Sequence, residues 1–366
     1  MSARGLTWDH PRGYNALAAA GGPVTWETQP LEGFESAPIA RLCAEYDLVV
    51  LDHPHLGEAL AEGCILPLDQ VFEAEDLARI ADAAMGPSFA SYAMAGRQWA
   101  LPLDAATQVM ALRPDLTEAR PTTWDEVLRL SGQGGVALSL AGPHAALSFL
   151  SVCAALDAGL DLRDGGWVAP DVAREAYDIL AELAAHSPAS TAALNPIGIL
   201  NHMSAQDDVA LCPLIYGYVN YAAPTRAHPL RFANAPRAGG RPGSILGGTG
   251  IAVSRRCTMT DALRAHLLML MSETAQRGLI PDNDGQPGLA AAWADPRINA
   301  AWGNFYADTA DTLRAAAIRP RHNGYIAFQT AASAHLRDAL STRRPAAQAV
   351  DELARMFHAS IEKAQA

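Results

Sequence analysis

What most limits the folds open to this chain is an alternation within its first fifty or so residues. Residues 5–8 read as a strand, a helical stretch follows, and residues 24–29 read as a second strand. After another helical stretch, residues 48–51 form a wholly apolar third strand. Strands separated by helices build a parallel sheet, and such sheets take ligands at the carboxyl ends of their strands. Trp8-Asp9-His10 and Asp52-His53-Pro54-His55 both fall on that edge. An aromatic face, carboxylates and imidazoles gathered there suit a small polyhydroxylated ligand.

At 366 residues the chain exceeds what one core comfortably serves, so two domains are expected. Half of it is apolar and 18% is charged, the balance of a folded globular protein. A surplus of 39 acidic over 27 basic side chains, net −12, argues against nucleic acid or an anionic membrane as partner. No apolar run approaches the ~18–20 residues of a membrane helix. Cys43, Cys64, Cys153, Cys212 and Cys257 are odd in number, widely spaced and without a CxxC pair. They read as buried free thiols, not as a disulfide framework or zinc ribbon, and they fit a cytosolic protein better than a secreted one. The first strand lies so near Met1 that a secretory leader of ~15–30 residues has no room. The expected location is therefore periplasmic or extracellular if a leader has been removed, and cytoplasmic otherwise.

Further along, residues 56–63 read as a helix, 64–69 as an extended link and 70–85 as an amphipathic helix. Residues 96–104 read as a tight turn feeding a strand, and 108–113 as a separate strand. Thr122 and Thr123 stand before Asp125 and Glu126, hydroxyl caps ahead of an acidic first turn, which predicts a helix start. A strand is expected at 136–139, followed by alanine-rich helices. Residues 209–215 read as a buried strand with Tyr216, Tyr218, Asn220 and Tyr221 after it. Residues 244–254 are glycine-rich and then strand-like, 259–275 helical, and the chain from 311 mostly helical with a break at 319–325. There is no internal repeat.

Several pieces stand in a telling order: Tyr46-Asp-Leu-Val-Val-Leu-Asp52, Glu62-Gly-Cys-Ile-Leu-Pro-Leu-Asp69, the turn and Ala-Leu-Pro of 96–103, and Met110-Ala-Leu-Arg-Pro-Asp-Leu116. Pro121-Thr-Thr-Trp-Asp-Glu-Val127, Leu246-Gly-Gly-Thr-Gly-Ile-Ala-Val-Ser254 and Ala346-Ala-Gln-Ala-Val-Asp-Glu-Leu353 complete the set. By order and spacing they resemble the extracellular solute-binding proteins of carbohydrate ABC transporters, the maltose-binding-like group, over nearly the whole chain. The resemblance implies an α/β, two-lobed periplasmic-binding-protein-like fold of type II. Each lobe would be a mostly parallel sheet flanked by helices, with the ligand between lobes that close by hinge bending. By that analogy lobe one takes 1–108 plus 245–310, and lobe two 109–244 plus 311–366. The implied protein is a monomeric binding component of an ABC-type importer, with no cofactor. It would capture a sugar, polyol or sugar acid and present it to an ABC permease.

Within that frame Trp8 can stack on a sugar ring or serve the core. Asp9 and Asp52 can accept charged hydrogen bonds from hydroxyls or cap the helices they precede. His10 and His53 read as hydrogen-bonding groups. A metal is not expected, since there is no HExxH and no acidic third ligand at a diagnostic spacing. Asp104 lies where lobe one meets the hinge, as ligand contact or cap. Tyr216, Tyr218 and Asn220 fall at the cleft edge of lobe two. Gly247-Gly248-Thr249-Gly250 lacks the phosphate-loop lysine and precedes a strand, not a helix. Gly248 and Thr249 therefore read as backbone that lets a ligand approach closely. Arg321 can pair with an acidic ligand group. The alternative function is a cytoplasmic enzyme or ligand-responsive regulator on the same scaffold, with Cys212 as nucleophile and a histidine reaching it across the cleft.

Overall fold

In the computed structural model, which describes residues 2–365, ten strands carry the fold. They are β1 (Ala3–Trp8), β2 (Val24–Gln29), β3 (Leu48–Leu51), β4 (Ile65–Leu66) and β5 (Ala93–Met94), then β6 (Arg97–Gln98), β7 (Ala100–Leu112), β8 (Leu211–Tyr216), β9 (Arg231–Ala233) and β10 (Leu246–Ser254). The N-terminal alternation builds what it predicts. β1 pairs in parallel with β2 from Ala3↔Val24 to Trp8↔Gln29, and with β3 at Gly5↔Leu48 and Leu6↔Val49. All four residues of β3 are buried, as its unbroken apolar run requires. The two-lobed α/β class holds with a mixed sheet of order β2-β1-β3-β10-β7-β8. Its parallel part is β1–β3, while β10 runs antiparallel to β3 and β7, and β7 antiparallel to β8 and β9.

The two strands expected at 96–104 and 108–113 are one. β7 is buried at all 13 of its residues, and nothing between Asp104 and Gln108 breaks it. The strand expected at 136–139 does not form. Only Val136 bridges to Leu211, because Gly134-Gly135 and Gly142-Pro143 leave few residues between turns. The helix read at 70–85 is Ala74–Ala83, and that at 56–63 is Leu56–Ala61 behind a tight turn at His53–His55. The helix read at 259–275 ends at Leu270 and gives way to a wide π turn at Ala275–Leu279. The Thr123 cap forms as read: its hydroxyl accepts from the Glu126 amide at 3.3 Å, and the Glu126 carboxylate accepts from the Thr123 amide at 3.2 Å.

β7 also changes partners along its length. Its residues up to Thr107 pair with β10, and from Gln108 onward it pairs with β8 and β9. Beside this change of partner Ala317 N donates to Ser244 O at 2.9 Å and Leu246 N donates to Ala317 O at 2.8 Å, tying two further segments together. Gln108, Ser148, Ser151 and Ser244 are all buried here. Ser151 donates to Gln108 Oε1 at 2.7 Å, Gln108 Nε2 to Ser148 Oγ at 3.1 Å, and Ser244 to Gln108 O at 2.7 Å. A satisfied polar network in a dry interior holds its geometry firmly.

Two large cores flank the sheet, and the first draws on residues from both sides of the partner change in β7. The first gathers Leu17, Val50, Leu101, Ile251 and Leu267 with Ile199, Phe232, Phe305 and Ile318. The second gathers Leu112, Val127, Phe149 and Leu180 with Tyr325, Leu336 and Phe357. A small third cluster under β3 holds Ile39, Cys43, Leu51, Leu56 and Ile65. All five cysteines are free thiols. Among the described residues no helix is long and apolar enough to cross a membrane.

Candidate functional site

β1, β3 and the start of β10 deliver their ends to a cavity of about 620 Å³, counting the space open to solvent, which Tyr216 and the helices His144–Leu156 and Tyr325–Ser341 close from the other lobe. Trp8 is the last residue of β1. Its indole N–H edge lies against Gly13, where a Cβ would come within 2.2 Å of Nε1, so only glycine admits the ring. His10 stacks parallel to it at 5.1 Å, Phe34 leans on it at 5.8 Å and Tyr218 meets it edge-on at 6.1 Å. Tyr216 ends β8 and lies over Gly247, where a Cβ would stand 2.4 Å from its Cε1. Gly248 has φ +95°, and the register slips between Thr249 and Gly250. Such a bulge at a sheet end re-aims the backbone toward the cavity.

The charges around the cavity are arranged in pairs. Arg319 has a buried side chain that forms an ion pair with Asp52 and donates to Leu246 O at 3.0 Å and Gln329 Oε1 at 3.3 Å. Arg12 clamps Asp104 with two donors, one of them at 2.9 Å, and gives a third to Gly217 O at 3.0 Å. Its guanidinium also lies over the Tyr218 ring at 5.0 Å. Burial alone would raise the Asp52 carboxyl, but the Arg319 charge outweighs it, with His53 assisting, and holds Asp52 well below the usual carboxylate range.

Glu35 behaves in the opposite way. Burial first, then the charges of Asp52 and Glu32, push it up to about 7 against the pull of Arg319. Facing it from the other lobe, the His144 imidazole is held down to about 3 by burial and then by Arg319. Their 3.7 Å contact has the spacing of an ion pair, yet between those values both groups are neutral. It is a meeting of a carboxylic acid and an uncharged imidazole across the cleft. Tyr216 Oη, His55 Nδ1 and His144 Nδ1 find no hydrogen-bond partner among the described residues. Burial pushes the Tyr216 hydroxyl up to about 12, so it remains a donor. The cavity thus offers aromatic faces, neutral hydrogen-bonding groups and one carboxylate, with each wall arginine already compensated.

Of the residues singled out in the sequence, Trp8, Asp52, Tyr216, Tyr218, Gly248 and Thr249 line the cavity. His10 stands behind Trp8, where its Nδ1 accepts from the Arg12 amide at 3.1 Å; burial and then Arg12 hold the ring down to about 3. His53 lies beneath Arg319, accepting its backbone N–H at 3.3 Å, and Asp104 lies beneath Arg12. Asp9 is exposed and off the wall, and His10, not Asp9, caps the first helix. Asn220 also lies off the wall, its carbonyl accepting from Arg226 at 2.7 Å. Arg321 is elsewhere: it donates to Ser91 O at 2.9 Å and Ala93 O at 2.6 Å beside a separate small cavity. Cys212 is buried within β8, off the wall, with its thiol pushed up to about 12 by burial, so it does not face the cavity as the alternative function requires. Arg12, Phe34, Glu35, His144, Arg319 and Gln329 line the cavity without having been singled out. Arg319 had a visible signal, since it stands two residues before Arg321 in Arg-Pro-Arg.

Comparison with known proteins places this geometry in context. The sequence model of the family described as bacterial extracellular solute-binding protein matches residues 37–279. A search of curated proteins gives no match. An ABC transporter solute-binding protein from Agrobacterium radiobacter in complex with ribitol superposes with a TM-score of 0.78 at 18% identity, covering 99% of this chain and 98% of that one. Maltose-bound MalE3 of T. maritima gives 0.78 at 16% identity over 98% and 99% of the two chains. A solute-binding protein from Agrobacterium vitis with bound D-mannitol gives 0.73 at 16% identity over 99% of each chain. At these identities the likeness establishes the fold.

Proposed function

The chain belongs to the bacterial extracellular solute-binding protein family, and from that premise we propose that it captures a small uncharged polyol or monosaccharide between its lobes for an ABC-type permease. The observation that carries this reading is charge compensation. Arg12 and Arg319, the arginines of the wall, are each held by a carboxylate, so a ligand acid group would meet a cation already neutralised. A polyol needs no counter-charge. Its C–H faces fit against Trp8, Phe34 and Tyr218, and its hydroxyls against Asp52, Tyr216, His55 and His144, with Gly248 and Thr249 allowing close approach. Within the reading Asp104 holds Arg12, His10 braces Trp8 and His53 supports Arg319, while Asp9, Asn220 and Arg321 take no part.

The family is one of binding, and the reading invokes no chemical step. Ribitol, D-mannitol and maltose in the structural neighbours support the choice of ligand class. We place the first two lobe boundaries at the change of partner along β7 near 108 and at the crossing near 245. We move the third to about 317, where Ala317 bridges to Ile245 beside the second crossing. A monomer working in the periplasm or outside the cell completes the proposal.

The test is a thermal-shift and calorimetric screen against ribitol, D-mannitol, glucose, maltose and the matching sugar acids at ~1 mM. A ligand at 1,000 times its Kd adds ~4 kcal/mol, about 5 °C for a chain of this length. A shift with a neutral compound recovered intact is expected. A response confined to the acids, or a compound that is consumed, refutes the reading.

A further inference from the structure

Cys43 and Cys64 are distant in sequence and neighbours in the fold. Cys43 lies near the end of the helix Ile39–Glu45, and Cys64 follows a turn at Gly63, φ +58°, that leads into β4. Both pack in the cluster under β3. Consecutive residues at the end of β10 clamp their backbones: Ser254 Oγ donates to Cys43 O at 2.7 Å, and Arg255 N donates to Cys64 O at 2.9 Å. Ser254 is itself in register with Ile65, next to Cys64. The Cys64 thiol donates to Ala59 O at 3.6 Å, and the two thiols stand near enough to influence each other, which raises Cys43 and lowers Cys64. Cys257, three residues beyond Ser254, answers instead to burial, Asp47 and Arg256.

We propose that Cys43 and Cys64 form a disulfide on exposure to a disulfide oxidant, stapling the helix Ile39–Glu45 to the start of β4. The enclosed loop carries β3 and, at its carboxyl end, the cavity residues Asp52 and His55. Cys64 is only half-buried, so an external disulfide can reach it, whereas Cys43 is buried. Cys64 loses its proton and its thiolate attacks one sulfur of the oxidant, forming a mixed disulfide and releasing one thiolate. Cys43, losing its proton, then displaces the second thiolate. One protein disulfide forms, the external disulfide is reduced to two thiols, and the two protons end on those thiols. An extracellular protein meets such oxidants routinely. Closing this loop constrains the unfolded chain and so raises the stability of the lobe that carries this rim of the cavity.

The purified full-length protein is incubated with oxidised glutathione, and thiols are counted by maleimide mass-labelling in denaturant. Of the five thiols in the reduced protein, three are expected to remain, with peptide mapping joining Cys43 to Cys64. The melting temperature should rise by about 3–5 °C on oxidation. Cys43→Ser and Cys64→Ser should each abolish that rise, and if either fails to fold, the map of the unsubstituted protein decides alone. Five labelled thiols after oxidation, a bridge through another cysteine, or glutathione left attached to Cys64 overturns the proposal. No ligand enters the experiment, so its failure is separate from any failure of the binding reading.

Discussion

Replacing Glu35 by glutamine should stabilise the protein at pH 8 and leave it nearly unchanged at pH 4. The carboxyl stands at about 7 in the folded protein against an ordinary 4.5. Because the folded value is the raised one, the native state holds the proton more tightly than the unfolded chain. The stabilisation is complete below the unfolded value, erodes as pH rises between the two, and is gone above about 7. A gap of this size sets a ceiling of roughly 3 kcal/mol at ~1.4 kcal/mol per pKa unit. The Glu35 side chain is 26% exposed, and water screens part of the effect, so about 1–2 kcal/mol is the working expectation. Unfolding entropy of ~2.1 cal/mol/K per residue converts that to about 1–3 °C. Glutamine keeps the shape and polarity of the side chain without the proton to lose. Melting curves for both proteins at pH 4, 5, 6, 7 and 8 should diverge steadily with rising pH. A constant gap, or a gap that closes as pH rises, would refute the assignment of a neutral acid to this wall.

Asp52→Asn leaves the Arg319 charge buried beside a neutral amide. Denaturant titration should show a loss of about 3–5 kcal/mol, and a loss under ~1 kcal/mol would mean the pair is not desolvated. In the unsubstituted protein the Asp52 carboxyl is held below its ordinary value, so its contribution is present above about pH 4 and lost in stronger acid; the variant should lack that acid-sensitive component. Gly247→Ala places a methyl group 2.4 Å from the Tyr216 ring and must displace it. Calorimetry with whichever polyol binds the parent should show at least a tenfold weaker Kd, and an unchanged value would take Tyr216 out of the site.

Trp8 and Asp52 were legible as wall residues because a strand end fixes where the next side chains go, and the strands themselves were visible as apolar runs. Arg12, Glu35 and Arg319 were not. Their placement depends on partners far away in sequence: Asp104 for Arg12, and Asp52 with Leu246 for Arg319. Naming Arg321 and not Arg319 shows the limit plainly, since two arginines flanking one proline look alike until the fold turns one toward Asp52 and the other toward backbone carbonyls. The sequence suggests two strands where β7 is one, because the change of partner at Gln108 leaves no local mark. The contact between Cys43 and Cys64 has no sequence motif at all, and the odd cysteine count pointed away from it.

The way β7 and β10 share out the chain has a consequence for the order of assembly. The first core draws on Leu17 and on Ile318, and the second on Met110 and on Phe357. β10 must also slot between β3 and β7, which precede it by well over a hundred residues. Neither core can therefore be finished while synthesis is only half complete, and every early segment waits for a late one. Contacts of such long sequence separation form slowly. A nascent chain of this kind stays unlocked for most of its synthesis, and both cores close only once the last helices have been made.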